Sequence, residues 1–149
     1  MRVLVVDDEP DVLLLCRLIL EADGHEVRTA GDVSTGLAAV RQTRPDVVLL
    51  DFVMPGTDGL EMLERLRRIP EAPPVVMFSA KGEPADRLRG LAAGAAAYLA
   101  KPFEPTALVR TLEQVAAESP AAREVRRTVA LATLARKMTR PIGGGRGRG

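Results

Sequence analysis

The sequence has few of the residues that mark secreted or membrane-spanning proteins. It contains no tryptophan, one cysteine and one histidine among its 149 residues. A single cysteine excludes an internal disulfide, which favours a cytoplasmic setting. No apolar run approaches the roughly 20 residues of a membrane-spanning helix, and the amino terminus lacks the pattern of a signal peptide. Since 46% of the residues are hydrophobic, we expect one soluble domain with its own core.

Charge is distributed unevenly along the chain. Residues 1–119 carry 13 Lys/Arg and 19 Asp/Glu, a net charge of −6, whereas residues 120–149 carry 8 and 1, a net charge of +7. We expect a domain over residues 1–118 and a basic extension over 119–149, helical at first and with a disordered Gly/Arg tail. The extension could contact nucleic acid or an anionic surface, fold back on the acidic body, take part in a dimer contact, or remain solvated.

Short apolar runs alternate with helical stretches five times. The predicted strands are 3–6, 25–30, 47–50, 75–78 and 95–100, and the predicted helices are 10–22, 32–44, 60–68, 84–94 and 105–118. Such alternation predicts an α/β fold with a parallel sheet covered by helices on both faces. An extra helix is predicted over residues 121–138.

Helical periodicity predicts which side chains of two helices form an apolar stripe. In the first helix the stripe contains Val12, Leu15 and Ile19, with Leu14 and Leu18 beside it. Cys16 lies among these residues, and we expect it to be a small core residue. In the extra helix the stripe contains Val125, Val129 and Ala132.

Charged or hydroxyl side chains stand at the carboxyl ends of four predicted strands. Asp7 and Asp8 follow the first strand, Asp51 the third, Ser79 the fourth and Lys101 the fifth. Because parallel strands share one direction, these side chains should meet at one edge of the sheet, where open α/β sheets bind ligands. Singly, each has an ordinary alternative as a helix cap, a turn former or a solvated charge.

Together, these side chains predict phosphoryl chemistry on Asp51. Clustered carboxylates repel one another, and a divalent cation with a lysine would neutralise them. Oxygen ligands with no histidine or cysteine nearby suit Mg²⁺ better than zinc. A carboxylate beside Mg²⁺ can attack a phosphoryl group, whose oxygens Lys101 and Ser79 would then contact.

At this point the sequence resembles the receiver domain of two-component response regulators over residues 1–118. The motifs that carry the resemblance are VLVVDD, LLDFVMPGTDG, SA and KPF. The matching residues are the acidic metal pair Asp7 and Asp8, the phosphoacceptor Asp51, the Ser/Thr switch Ser79, the aromatic switch Tyr98, and Lys101 followed by Pro102.

The resemblance implies a flavodoxin-like doubly wound sheet with strand order 2-1-3-4-5 and five helices. It also implies Mg²⁺ or Mn²⁺ held by Asp7, Asp8, Asp51 and the backbone carbonyl of Val53, and a cis peptide between Lys101 and Pro102. The phosphodonor would be a bacterial histidine kinase or a histidine phosphotransfer protein.

The resemblance implies that phosphorylation changes the surface of the fourth helix, fifth strand and fifth helix. Ser79 would move to the phosphoryl group and Tyr98 would turn inward. That surface would serve a downstream protein target or a homodimer. Since residues 119–149 are too few for a helix-turn-helix output module, we expect a stand-alone receiver rather than an enzyme.

Two neighbouring positions bear on the phosphoryl lifetime. Val53 is apolar and cannot orient an attacking water, and Lys81 could pair with the phosphate, which predicts slow to moderate self-dephosphorylation. Two alternatives remain. The chain could be a scaffold that works unphosphorylated, or a phosphatase with an aspartyl-phosphate intermediate, although Val53 stands where such phosphatases place a second acid.

Overall fold

The computed structural model describes residues 1–54, 57–80 and 84–139. The strands are β1 (Arg2–Val6), β2 (Glu26–Ala30), β3 (Val47–Asp51), β4 (Val53–Met54), β5 (Thr57–Asp58), β6 (Val75–Ser79) and β7 (Ala97–Ala100). The helices are α1 (Pro10–Ala22), α2 (Val33–Thr43), α3 (Gly59–Arg67), α4 (Pro84–Ala92), α5 (Pro105–Ala117) and α6 (Pro120–Thr139). None of the helices described is long and apolar enough to cross a membrane.

Five strands form one parallel sheet in the order β2-β1-β3-β6-β7. Counted along the sheet-forming strands, this is the predicted order 2-1-3-4-5, and the flavodoxin-like fold is confirmed. The short hairpin of β4 and β5, which was not predicted, follows β3 directly. Its two strands therefore lie between the end of the central strand and the start of α3.

The core consists of two apolar layers, one on each face of the sheet. All five residues of β3 and of β6 are buried, because a parallel sheet covered by helices on both faces buries every side chain of its central strands. Cys16 is buried in α1, as predicted. Burial raises the pKa of its thiol to about 12, with a further contribution from the Asp7 charge.

The predicted stripe of α1 is partly wrong. Leu15 is 51% exposed, and Cys16 and Leu20 are the buried residues of this helix. Leu14 and Leu18 are also exposed. Because α1 has apolar residues on several faces, its periodicity did not single out the face that packs on the sheet.

Helix α6 exists as predicted, but the predicted apolar stripe faces solvent. Val125 and Val129 are 64% and 60% exposed. The opposite side contacts α4, and Arg127 Nη1 donates a hydrogen bond to the carbonyl oxygen of Leu91 at 2.6 Å. The extension therefore folds back on the body of the domain.

Arginines hold the start of α6 in place. Arg123 Nη1 donates to the carbonyl oxygens of Val115 and Glu118 at 3.2 and 2.6 Å. Arg126 Nε and Nη2 form a bidentate pair with the Glu118 carboxylate at 2.8 and 2.7 Å. These basic side chains therefore serve the α5–α6 junction. The predicted Gly/Arg tail beyond residue 139 lies outside the described residues.

Candidate phosphoacceptor site

The predicted site residues meet at the carboxyl edge of the sheet, around the ammonium group of Lys101. Lys101 Nζ lies 2.8 Å from Asp7 Oδ2 and 3.6 Å from Asp51 Oδ2. Asp7 is fully buried and Asp51 is 4% exposed. Three strands that are distant in sequence thus bring one cation and two carboxylates into direct contact.

Backbone hydrogen bonds fix the ends of these strands. The Asp7 N–H donates to the Ala30 carbonyl at 3.1 Å, and the Lys101 N–H donates to the Ser79 carbonyl at 2.9 Å. The peptide bond between Lys101 and Pro102 is cis, as the resemblance implies. The strand ladder therefore continues into the residues that carry the site.

The loop after β3 is held close to Asp51. The Val53 N–H donates to Asp51 Oδ1 at 3.2 Å. A Cβ atom at Gly59 would overlap the Asp51 carbonyl oxygen and lie 3.0 Å from Phe52 Cα. Glycine therefore allows α3 to begin directly against this loop.

The electrostatics of the site raise the pKa of the buried Asp51 carboxylate above that of an exposed aspartate. Burial raises the pKa of Asp51 to about 6, and the Asp7 charge adds to this, whereas the hydrogen bond from Val53 and the Lys101 charge oppose it. Burial alone would lower the pKa of Lys101. Its hydrogen bond to Asp7 and the charges of Asp51, Asp7 and Glu9 raise it overall. At neutral pH both Asp51 and Lys101 are charged.

The carboxylates fit a hard divalent cation. One oxygen each of Asp7, Asp8 and Asp51 lies within 4.8 Å of the others. Octahedral Mg²⁺, at about 2.1 Å from each ligand, spaces its oxygen ligands roughly 3–4 Å apart. The three carboxylates and the Lys101 ammonium together carry a net charge of −2, which a divalent cation balances. Asp8 is exposed and gives the site access to solvent.

The two predicted switch residues lie together beside the site. Ser79 is 2% exposed and Tyr98 is half-buried. Burial raises the pKa of Tyr98, and a hydrogen bond with the Ser79 side chain lowers it in part. The Tyr98 ring packs against Phe52 at 6.1 Å between centroids. A movement of Ser79 would therefore break its hydrogen bond with Tyr98.

Two further residues of the site were not assigned to it from the sequence. Glu9 Oε1 lies 3.9 Å from Lys101 Nζ, and the Phe78 ring centroid lies 4.5 Å from the same atom. Glu9 occupies the N-cap position of α1, but its side chain makes no capping hydrogen bond. The sequence feature that could have assigned Glu9 to the site is its position directly after Asp7 and Asp8 in the run DDEP. Lys81 lies outside the described residues.

The resemblance seen in the sequence extends to known proteins. The model of the response regulator receiver domain family matches residues 3–113. The DNA-binding response regulator MtrA of Mycolicibacterium smegmatis is 42% identical over 108 residues, which are 72% of this chain and 47% of that protein. TcrX of Mycobacterium tuberculosis, a probable transcriptional regulatory protein, is 45% identical over 101 residues, 68% of this chain and 43% of that protein.

Solved structures of response regulators have a similar fold. The chemotaxis response regulator CheY4 of Vibrio cholerae is 34% identical with a TM-score of 0.71, over 76% of this chain and 97% of that one. A putative response regulator from Chloroflexus aurantiacus is 35% identical with a TM-score of 0.74, over 78% and 98%. The chain spans about half the length of the curated relatives it matches. By sequence and by fold, it belongs to the family of response regulator receiver domains.

Proposed function

We propose that this domain accepts a phosphoryl group on Asp51 from a histidine kinase or a histidine phosphotransfer protein. The observation that carries the proposal is the position of the Lys101 ammonium between Asp7 and Asp51 at the sheet edge. A structural salt bridge would need one carboxylate. Two buried carboxylates around one lysine leave an excess of negative charge, which suits a site that also takes up a divalent cation.

The chemistry is an in-line displacement at phosphorus. The bond between phosphorus and the donor imidazole nitrogen breaks as a bond to a carboxylate oxygen of Asp51 forms, and the imidazole leaves. Asp7, Asp8, Asp51 and the Val53 carbonyl would hold Mg²⁺, which when bound supplies positive charge to a phosphoryl oxygen. Lys101 would contact a second oxygen, and the Ser79 hydroxyl a third.

A patch of three leucines on α1 suits a protein phosphodonor. Leu14, Leu15 and Leu18 are 56%, 51% and 58% exposed. Helix α1 starts at Pro10, two residues after Asp8, so the helix that carries these leucines begins at the site. Neighbouring exposed leucines are typical of interaction surfaces. We propose that the donor protein packs on this patch.

The output would be a change in the surface of α4, β7 and α5. A phosphoryl group adds roughly −1.5 to −2 charge at Asp51. Ser79 would hydrogen-bond this group, which removes its contact with Tyr98 and lets the ring settle in a new position. A downstream target or a second copy of the domain that prefers this arrangement would complete the switch.

The phosphoryl lifetime follows from the residues beside Asp51. Val53 is 44% exposed and has no group that accepts a proton from an attacking water. We therefore propose slow to moderate self-dephosphorylation. A half-life of seconds for the purified phosphoprotein would contradict this part of the proposal.

Incubation with acetyl phosphate and Mg²⁺, followed by intact mass measurement, tests the proposal. We expect one added phosphate on the wild type and none on Asp51→Asn or without Mg²⁺. If acetyl phosphate gives no product, a phosphohistidine donor is the second reagent. Failure of both donors would refute phosphoryl acceptance and leave the scaffold alternative.

A further inference from the structure

Helix α4 contacts the switch on one side and α6 on the other. A Cβ atom at Gly90 would lie 3.6 Å from Tyr98 Cδ2, and the Arg87 guanidinium carbon is 5.8 Å from the Tyr98 ring centroid. On the other side, Arg127 donates to the carbonyl oxygen of Leu91. A shift of α4 would therefore alter both contacts.

Helix α6 begins at the carboxyl end of α4 and runs back along it. Arg123 and Arg127 line a small cavity together with Gly94 and Ala96, which follow α4 in sequence. At about 1.5 Å per residue, Leu134 lies about 10 Å further along the axis than Arg127. This distance is shorter than the nine-residue helix α4 (Pro84–Ala92).

The inner face of α6 is only partly buried. Leu131 and Leu134 are on the same helix face as Arg127 and are half-buried, and α6 has no fully buried residue. A helix that is anchored at its start and only half-buried along its length can leave α4 without unfolding the core. The docking of α6 on α4 can therefore be reversible.

We propose that the outer face of α4 is a docking site for an amphipathic helix, filled by α6 in the unphosphorylated protein. Phosphorylation of Asp51 would weaken this docking and release α6 from α4. The inference rests on the proposed function. In this structure α6 is docked while Tyr98 contacts Ser79, and the proposed function removes that contact on phosphorylation. A shift of α4 that follows Tyr98 would disturb the α6 contacts, and by linkage α6 docking would restrain the switch.

Tyr98 offers a direct readout, because it is the only tyrosine and the chain has no tryptophan. The test variant is Leu131→Glu with Leu134→Glu, and the matched control is Val125→Glu with Val129→Glu on the exposed face. Glutamate is a good helix former, so both variants keep the helix. In the test variant we expect α6 amides to exchange about tenfold faster, which is about 1.4 kcal/mol, together with a change in Tyr98 fluorescence. The control should match the wild type.

The phosphoryl analogue beryllofluoride, added with Mg²⁺ to the wild-type chain, tests the link to Asp51. We expect Tyr98 fluorescence to change and α6 amides to exchange at least about threefold faster, with Asp51→Asn unresponsive. A Tyr98 response without faster exchange in α6 would overturn the inference. So would release of α6 in the test variant with Tyr98 fluorescence unchanged. No response to beryllofluoride at all would instead refute the proposed function, and the variant comparison would still decide the α4–α6 coupling.

Discussion

Replacing Asp51 with asparagine should stabilise the protein at neutral pH when no divalent cation is present. Burial and the Asp7 charge raise the Asp51 pKa to about 6. Against an unfolded-state value of about 3.9, this shift of about 2 units costs the folded state about 3 kcal/mol once the group ionises. Asparagine is nearly isosteric and can accept the Val53 hydrogen bond. The pKa of about 6 already includes the opposing attraction to Lys101, so we expect a gain of about 2–3 kcal/mol.

Urea unfolding of both proteins between about pH 4 and about pH 8 measures this gain. Below about pH 4, Asp51 is protonated in the folded and the unfolded state, so the two proteins should differ little. Between about pH 4 and about pH 6 the folded state holds the proton more tightly than the unfolded state, so the wild type loses stability as the pH rises. The full difference should be present above about pH 6.

Glu64→Gln is a matched control, because it removes one negative charge from an exposed position on α3. It should change the free energy of unfolding by less than about 0.5 kcal/mol. The reasoning would be refuted by an Asp51→Asn protein less stable than the wild type at about pH 7.5. A gain that is independent of pH would refute it equally.

Three further predictions concern the α1 surface, the loop after β3 and the core. Leu18→Arg should slow phosphoryl transfer from a kinase active on the wild type at least about tenfold and leave the reaction with acetyl phosphate unchanged. The control Val129→Arg, at a similarly exposed position, should change neither reaction. Equal losses of Leu18→Arg in both reactions would contradict the donor surface. Gly59→Ala should cost at least about 2 kcal/mol in urea unfolding, because the added Cβ overlaps backbone atoms, and a stability equal to that of the wild type would contradict the close approach. Burial raises the Cys16 pKa to about 12, so a disulfide reagent should modify the thiol no faster than the protein unfolds.

The fold and the membership of the site could be predicted from sequence because both depend on local patterns. The run Val47–Asp51 is apolar up to its last residue, which is typical of a strand buried on both faces. Parallel strands share one direction, so residues that follow them must meet at one edge. This rule alone places Asp51 near Asp7 and Lys101, and the structure has them in contact.

Helix faces could not be predicted, because periodicity shows which side chains share a face and not what covers that face. Leu15 on α1 and Val125 and Val129 on α6 belong to regular apolar stripes, yet all three are exposed. What packs against a helix depends on elements that are distant in sequence. For α6 the deciding contacts are to Leu91 and Glu118.

The sequence by itself therefore determined a parallel α/β sheet and the identity of the residues at its edge, since apolar runs and chain direction are local properties. The strand order followed only from the resemblance to the receiver family. Only the tertiary structure decided that α6 packs on α4 and that the Asp51 pKa is raised to about 6. Burial and the distance between charges depend on how all the elements pack, and no local pattern specifies them.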